Sequence, residues 1–362
     1  MALKTTRGDR GAPTKGRGAP SNLEGRFESW TREGLDDGWP HDDGAPPPLQ
    51  TEVTRERAKS IISRNDSPDI SFEQSINPYR GCEHGCIYCY ARPAHAYVGL
   101  SPGLDFETRI FAKVNAAELL RAELAAPSYR CKSITLGANT DAYQPIEREL
   151  RITRSIIEVL AECEHPVALI TKNALIERDI DLLAPMAARR LAGAYLSVTN
   201  LDAALARKLE PRASAPYRRL EAIKRLADAG IPTGVMVAPV IPFITDRYLE
   251  EILERAREAG ATQAGYVLLR LPHEVAPLFK EWLATHYPLK AEHVLSLVHQ
   301  MHGGKDYDST WGVRQRGTGN FADLIAQRFA RACERLGLNR ERVALDTTRF
   351  GPPRSGPQLD LF

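Results

Sequence analysis

The chain has 362 residues, with 48 Lys and Arg against 46 Asp and Glu, and 43% of it is hydrophobic. That is ordinary globular composition, which excludes a wholly disordered or fibrous chain. The net charge of +2 excludes a histone-like binder acting through bulk charge, though not a local basic groove. No stretch approaches the roughly 18–20 apolar residues of a membrane helix, and residues 1–20 lack the apolar core of a secretory signal. A cytoplasmic protein with no membrane partner is expected.

In chain order, residues 1–50 carry 8 Gly and 6 Pro, a level that reads as low complexity. Residues 1–66 are therefore expected to be a largely disordered arm. Its first 20 residues hold Lys4, Arg7, Arg10, Lys15 and Arg17 against Asp9 alone. Such an arm is either solubilising or phosphate-contacting. From residue 67 onward, apolar runs of strand length alternate with amphipathic segments. The expected strands are Ile70–Asn77, Ser133–Asn139, Val167–Lys172, Ala194–Thr199, Thr233–Ile241 and Gly265–Leu271. The expected helices are Ala116–Leu124, Thr153–Glu162, Glu177–Ala188, Tyr217–Ala229 and Asp246–Ala259, two of them followed by the stop signals Gly230-Ile231-Pro232 and Gly260. Strand–helix alternation implies parallel pairing. Six such units are too few for an eight-fold barrel, so an α/β fold with an incomplete (β/α)6 barrel over residues 67–272 is expected, with its site at the C-terminal strand ends. Residues 273–350 read as a mainly helical extension (Val275–Thr285, Ala291–Gln300, Phe321–Leu336) with a glycine-rich loop at Gly303–Asn320. Residues 351–362 form a Pro/Gly tether and a short terminal peptide.

Six cysteines are present, and three of them, Cys82, Cys86 and Cys89, fall within eight residues. A disulfide scaffold does not suit a chain of this length without an export signal. Cys-x3-Cys-x2-Cys on one tight loop after the first barrel strand can hold three irons of a [4Fe–4S] cube and leave the fourth open to a substrate or cofactor. Structural zinc would take four ligands in two pairs. His84 could complete a Cys3His set but lies inside the loop, where ring closure is awkward. A packed trio without metal is the remaining reading. Cys131, Cys163 and Cys333 read as core or incidental thiols.

This loop, with Tyr88 before its third cysteine and a partial barrel behind it, resembles the radical S-adenosylmethionine (SAM) superfamily. The wording Asn77-Pro78-Tyr79-Arg80-Gly81-Cys82 and Tyr88-Cys89-Tyr90-Ala91-Arg92 resembles its spore photoproduct lyase-like branch, over roughly residues 70–272. The resemblance implies a lyase-like enzyme in which SAM chelates the open iron. One electron from a flavodoxin- or ferredoxin-type partner, passed through the cluster, cleaves SAM to methionine and a 5′-deoxyadenosyl radical, which abstracts a hydrogen atom. It also implies site residues. Tyr88 and Tyr90 would sit beside SAM and relay hydrogen atoms. Asn139, Thr140 and Asp141 would meet its methionine part, Lys172 a carboxylate, Ser197 the cofactor, and the backbone at Ala238 the adenine. Each also has a plainer reading as a turn, a strand-end cap or aromatic packing. One departure counts: the lyases keep a hydrogen-donating cysteine where this chain has Ala138. Cys131 should lie at the far end of that strand, roughly 20 Å away. The resemblance therefore does not carry photoproduct reversal by the same relay.

The chain ends Gln358-Leu359-Asp360-Leu361-Phe362, which resembles the bacterial sliding-clamp-binding peptide. Leu361 and Phe362 would fill an apolar pocket and Gln358 would bond at its rim. A clamp partner makes DNA, for repair or modification, the expected substrate, with Arg92, His95, Arg314 and Arg316 as candidate phosphate contacts. The alternatives are a radical SAM enzyme acting on RNA, protein or a metabolite, and a non-catalytic iron–sulfur sensor.

Overall fold

The computed structural model describes residues 16–28 and 49–353. Ten strands follow in order: β1 (Glu52–Glu56), β2 (Ile62–Arg64), β3 (Gln74–Ile76), β4 (Tyr79–Arg80), β5 (Arg109–Lys113), β6 (Ile134–Leu136), β7 (Val167–Thr171), β8 (Ala192–Ser197), β9 (Thr233–Val240) and β10 (Gln263–Leu268). Seven form one sheet in the order β10-β9-β8-β7-β6-β3-β2. Every pairing from β3 to β10 is parallel, and only β2 is antiparallel. These are the six expected barrel strands in their expected order, each within a few residues of its expected bounds.

Helices cover the sheet between strands: α1 (Asp105–Thr108), α2 (Ala116–Leu124), α3 (Glu147–Leu150), α4 (Ile152–Glu162), α5 (Ile180–Ala188), α6 (Ala203–Leu209), α7 (Pro216–Asp228) and α8 (Leu249–Glu258). The periodicity that predicted them also orients them. In α8 the buried residues are Leu249, Ile252, Leu253 and Ala256, one apolar stripe at helical spacing. β8, by contrast, buries five of its six residues, as a strand covered on both faces must. The last helices, α9 (Val275–His286), α10 (Ala291–Met301) and α11 (Asn320–Leu336), complete the C-terminal region. They share one continuous core with the barrel, to which Trp282, Val294 and Ile325 contribute.

Two features depart from expectation. Residues 16–28 and 49–66, read as part of a disordered arm, are packed where described. Ala19 is buried, and β1 pairs in parallel with β5, which pairs antiparallel with β4, in a second, three-stranded sheet. Composition hid this because β1 (Glu-Val-Thr-Arg-Glu) is polar on both faces. The second departure is at the barrel's open seam between β10 and β2. There the glycine-rich loop acts as a clasp. Gln315 accepts from Leu268 N–H on β10 (2.9 Å). Gly312 N–H and Arg314 Nε donate to Asp69 in the β2–β3 connection, both at 2.6 Å.

Candidate functional site

The cysteine loop, residues 81–91, follows β4 and lies over the C-terminal ends of the barrel strands. Its shape is imposed from several sides. Gln144, after β6, accepts from Glu83 N–H at 2.9 Å and donates to Gly81 O at 3.3 Å. Ile87 N–H donates to Leu209 O (3.0 Å), Cys82 N–H to Phe106 O (2.9 Å), and Arg212 N–H to His84 O (3.2 Å). From below, Arg92 donates to Cys86 O (2.9 Å), Pro102 O (3.0 Å) and Gly103 O (2.9 Å), and pairs with Glu107. Glu107 in turn accepts from Gly18 and Ala19 N–H at 2.9 and 2.8 Å. This draws residues 16–22 across the loop as a strap. At Gly18 a Cβ would stand 1.8 Å from Gly85 O, so only glycine permits that approach.

All three cysteines are free thiols, Cys82 and Cys86 buried and Cys89 partly so. Burial pushes the Cys82 thiol up, and Asp141 and the other two cysteines push it further. Burial likewise pushes Cys86 up, with Glu210 adding and Lys172 opposing. Three free thiols on one loop, two of them buried with their ionisation opposed, are a soft donor set that an iron cluster's positive charge would stabilise as thiolates, so the residues present fit the group. Among the described residues no set of His, Cys, Asp or Glu closes around a single ion; a cluster's three thiolates reach three separate irons. His84 is engaged elsewhere, with its Nδ1 3.3 Å from Asp141 and its Nε2 3.1 Å from the Asn173 amide.

The remaining expected residues converge on the same strand ends. Gly137 follows β6 with φ +87°, and a Cβ there would lie 2.2 Å from Ile170 O, so the turn can hug β7. The turn that follows exposes Asn139 and buries Thr140, whose Oγ1 donates to Tyr79 O at 3.1 Å. Asp141 is occupied by the protein itself. It accepts from Thr171 Oγ1 (2.7 Å), Lys172 N–H (2.8 Å) and Tyr143 N–H (2.9 Å). Burial opposes its charge, but His84 and these donors hold its carboxyl below the usual range. It braces the cysteine loop against β7. Ser197 ends β8, and Ala238 lies on β9 before a cis proline.

Lys172 Nζ lies 5.9 Å from the centroid of the buried Tyr88 ring. Burial lowers its pKa, but Cys86 and Glu210 outweigh burial and keep it charged. The Tyr88 hydroxyl donates to Glu210, which also accepts from Thr199 Oγ1 (2.8 Å) and pairs with buried Arg219. Burial alone would raise the Glu210 carboxyl, but Arg219 and Lys172 hold it below the usual range. Arg219 also donates to Ser197 O at 2.9 Å. This buried pair was not legible in the sequence, because Arg219 lies on an amphipathic helix where an arginine reads as surface. Tyr90 is 45% exposed at the mouth, its hydroxyl donating to Ala138 O and its ring beneath the Arg270 guanidinium at 4.1 Å.

The candidate phosphate contacts mostly fail on burial. Arg92 is 0% exposed. His95 is buried, its pKa lowered by burial to about 4, with Nε2 3.0 Å from Arg109 O. Arg314 is tied to Asp69. Arg316 alone keeps an exposed face, over the Tyr266 ring at 4.1 Å. Cys131 precedes β6, at the end away from this site, as expected. Gln358–Phe362 lie outside the described residues.

Comparison with known proteins accords with this architecture. The chain is 35% identical over 278 residues to protein Rv2578c of Mycobacterium tuberculosis, covering 72% of this chain and 82% of that one. It is 26% identical over 237 residues to protein MJ0683 of Methanocaldococcus jannaschii, covering 66% and 84%. Among solved structures, a cysteine-to-serine mutant of spore photoproduct lyase shares the fold with a TM-score of 0.55 at 18% identity, over 79% of this chain and 80% of that chain. Spore photoproduct lyase complexed with dinucleoside spore photoproduct gives 0.54 at 17%, over the same shares. The Radical SAM superfamily matches residues 76–256, from β3 through most of α8 and across all three clustered cysteines. The chain therefore belongs to the Radical SAM superfamily, whose chemistry implies an iron–sulfur cluster and SAM as its cofactors.

Proposed function

We propose that Cys82, Cys86 and Cys89 each ligate one iron of a [4Fe–4S] cluster, that Tyr88, Tyr90, Asn139, Thr140, Lys172, Ser197 and Ala238 line the SAM site with Asp141 bracing it, and that the substrate is DNA. When bound, the cluster and SAM would supply the radical chemistry that removes a hydrogen atom from an unactivated C–H bond. The chain's residues bind, orient and exclude water. The single observation that carries the reading is three free thiols on one buried, many-times-fastened loop at the C-terminal ends of a six-strand parallel barrel. Lys172, kept charged by Cys86 and Glu210, is suited to a carboxylate. Tyr88 is committed to Glu210 and serves as a positioning group. Tyr90, half exposed at the mouth, is the better hydrogen-atom relay.

DNA is favoured by two separate supports. A solved protein of this fold is complexed with a dinucleoside photoproduct. The terminal Gln358–Phe362 peptide has the form of a sliding-clamp ligand. Ala138, where the lyases have a cysteine, points to a lyase-like repair or modification reaction with a different hydrogen donor.

Anaerobic reconstitution followed by SAM and dithionite should release 5′-deoxyadenosine, more of it with damaged DNA. A protein carrying the cluster that releases none, with DNA and clamp present, overturns the enzymatic reading in favour of sensing. Cys86→Ser should strip the iron, and an unchanged iron count sinks the ligand assignment. Removing Gln358–Phe362 should abolish binding to a bacterial sliding clamp while leaving 5′-deoxyadenosine release intact.

A further inference from the structure

A cavity of about 620 Å³ opens on the outer face of the cysteine loop, with Arg17, Thr51, Arg55, Glu83, Glu149 and Arg212 in its lining. Its charge is unusual. Arg17 and Arg212 both reach the hydroxyl of Thr51, at 3.3 and 3.1 Å. Arg212 pairs with Glu83 at 3.0 Å, and the other oxygen of Glu83 accepts from Ile146 N–H at 2.6 Å. Among the described residues Arg17 donates to neutral oxygens, Glu107 O at 2.9 Å, Leu49 O at 2.7 Å and Thr51 Oγ1. Arg55 is exposed and has no ion-pair partner among the described residues. Burial lowers the pKa of Arg17, and the charge of Arg212 lowers it further. The exposed Arg55 and the partly buried Arg17 and Arg212 thus stand against one buried carboxylate, Glu83, and one exposed one, Glu149. A concave surface of this sign concentrates anionic partners.

Position decides which anion. Glu83 directly follows Cys82, so the cavity wall is one residue from a cysteine of the cluster loop. Tyr90, Ala138 and Arg270 mark the barrel mouth, and none of them lines the cavity. In the radical SAM reading above, cofactor and substrate use the mouth. The only participant with reason to approach from the loop's outer face is the electron donor.

We infer that the Arg17–Arg55–Arg212 cavity is the docking site for an acidic one-electron donor protein, an inference that rests on the radical SAM reading above. Docking there lets the donor lose one electron and the cluster gain it, taking the cluster from its 2+ to its 1+ state with no bond made or broken. Charge complementarity of this kind sets encounter rate and orientation more than intrinsic affinity.

The test uses the full-length, cluster-bearing protein and a purified acidic bacterial flavodoxin. At low ionic strength, Arg55→Glu should weaken flavodoxin binding about tenfold and slow flavodoxin-driven bleaching of the cluster by a similar factor. Dithionite-driven bleaching, iron content and the response of a control, Arg255→Glu on α8, should not change. High salt should erase the difference between variant and parent. A second measurement needs no variant: flavodoxin should protect backbone amides around residues 49–55 and 212–214 from hydrogen exchange. Unchanged binding by Arg55→Glu, or protection elsewhere, overturns the inference. So does weakened binding of a single-stranded oligonucleotide with flavodoxin unaffected, which would make the cavity a nucleic-acid site. A protein that takes up no iron fails the radical SAM reading instead, and flavodoxin binding can still be measured on it.

Discussion

Arg92 uses its guanidinium entirely inside the protein, on three carbonyls and the carboxylate of Glu107. Breaking a buried pair by removing one partner leaves the other charge uncompensated, at a cost of about 3–5 kcal/mol. Arg92→Met should therefore lower unfolding stability by about that much and reduce iron uptake together with it. Denaturant melts and an iron assay read both, and a loss under about 1 kcal/mol would mean the Glu107 charge is neutralised some other way. Gly18 poses a steric test of the strap. Since its Cβ would stand 1.8 Å from Gly85 O, Gly18→Ala must push the strap off the loop. The expected loss is about 1–3 kcal/mol, with faster bleaching of the cluster in air. An oxygen sensitivity equal to the parent's would show that the strap does not shield the cluster.

Between elements, the clasp from the glycine-rich loop to the β2–β3 connection joins the two edges of an otherwise open sheet. Its polar part is Arg314 and Gly312 on Asp69. Charge-assisted, partly buried bonds of this kind contribute about 1.5–3 kcal/mol. A double-mutant cycle of Arg314→Ala and Asp69→Asn should show coupling of about 1–2 kcal/mol. Hydrogen exchange should quicken over residues 310–318 and stay unchanged in β7 to β9. Additive single effects would mean that the clasp rests on Gln315 and Leu268 alone. The strap and the clasp share a logic. Each is a polar, glycine-containing segment whose order comes from partners far along the chain.

For the whole molecule, the end of the barrel away from the cysteines is closed by Phe350. Its ring packs 5.4 Å from Tyr129 and 5.3 Å from His165. His165 is fully buried, its Nε2 2.7 Å from the Tyr129 hydroxyl. Burial lowers its pKa to about 4. Unfolded, the same ring titrates near 6.5. Between these values the unfolded chain binds more protons than the folded one, so stability rises with pH across the window and is lost as pH falls from about 6.5 toward 4. His95, held near 4 by burial as well, adds a second such term. Each amounts to about 3 kcal/mol at most. His165→Gln should flatten part of the acid slope in melts taken from pH 7 to pH 4. An unchanged slope would show that His165 is already protonated in the fold.

The order of six parallel strands was readable from the chain because it follows from local periodicity. Runs such as Val167–Thr171 and stripes such as Leu249, Ile252, Leu253 and Ala256 need no distant partner to be recognised. The cysteine cluster was readable for the same reason, since three cysteines lie within eight residues. Only the tertiary structure decided what depends on pairings remote in sequence. β1 is an edge strand, polar on both faces, that looks like loop until paired with β5. Glu107 meets Gly18 across 89 residues, and Tyr88 meets Glu210 across 122. It also decided which charges are free. Arginines look alike in a sequence, but burial with a carboxylate makes Arg92 and Arg219 structural, while Arg55 remains open to solvent. Spacing along the chain fixes what a segment can become; the cost of burying an unpaired charge fixes where each side chain must end.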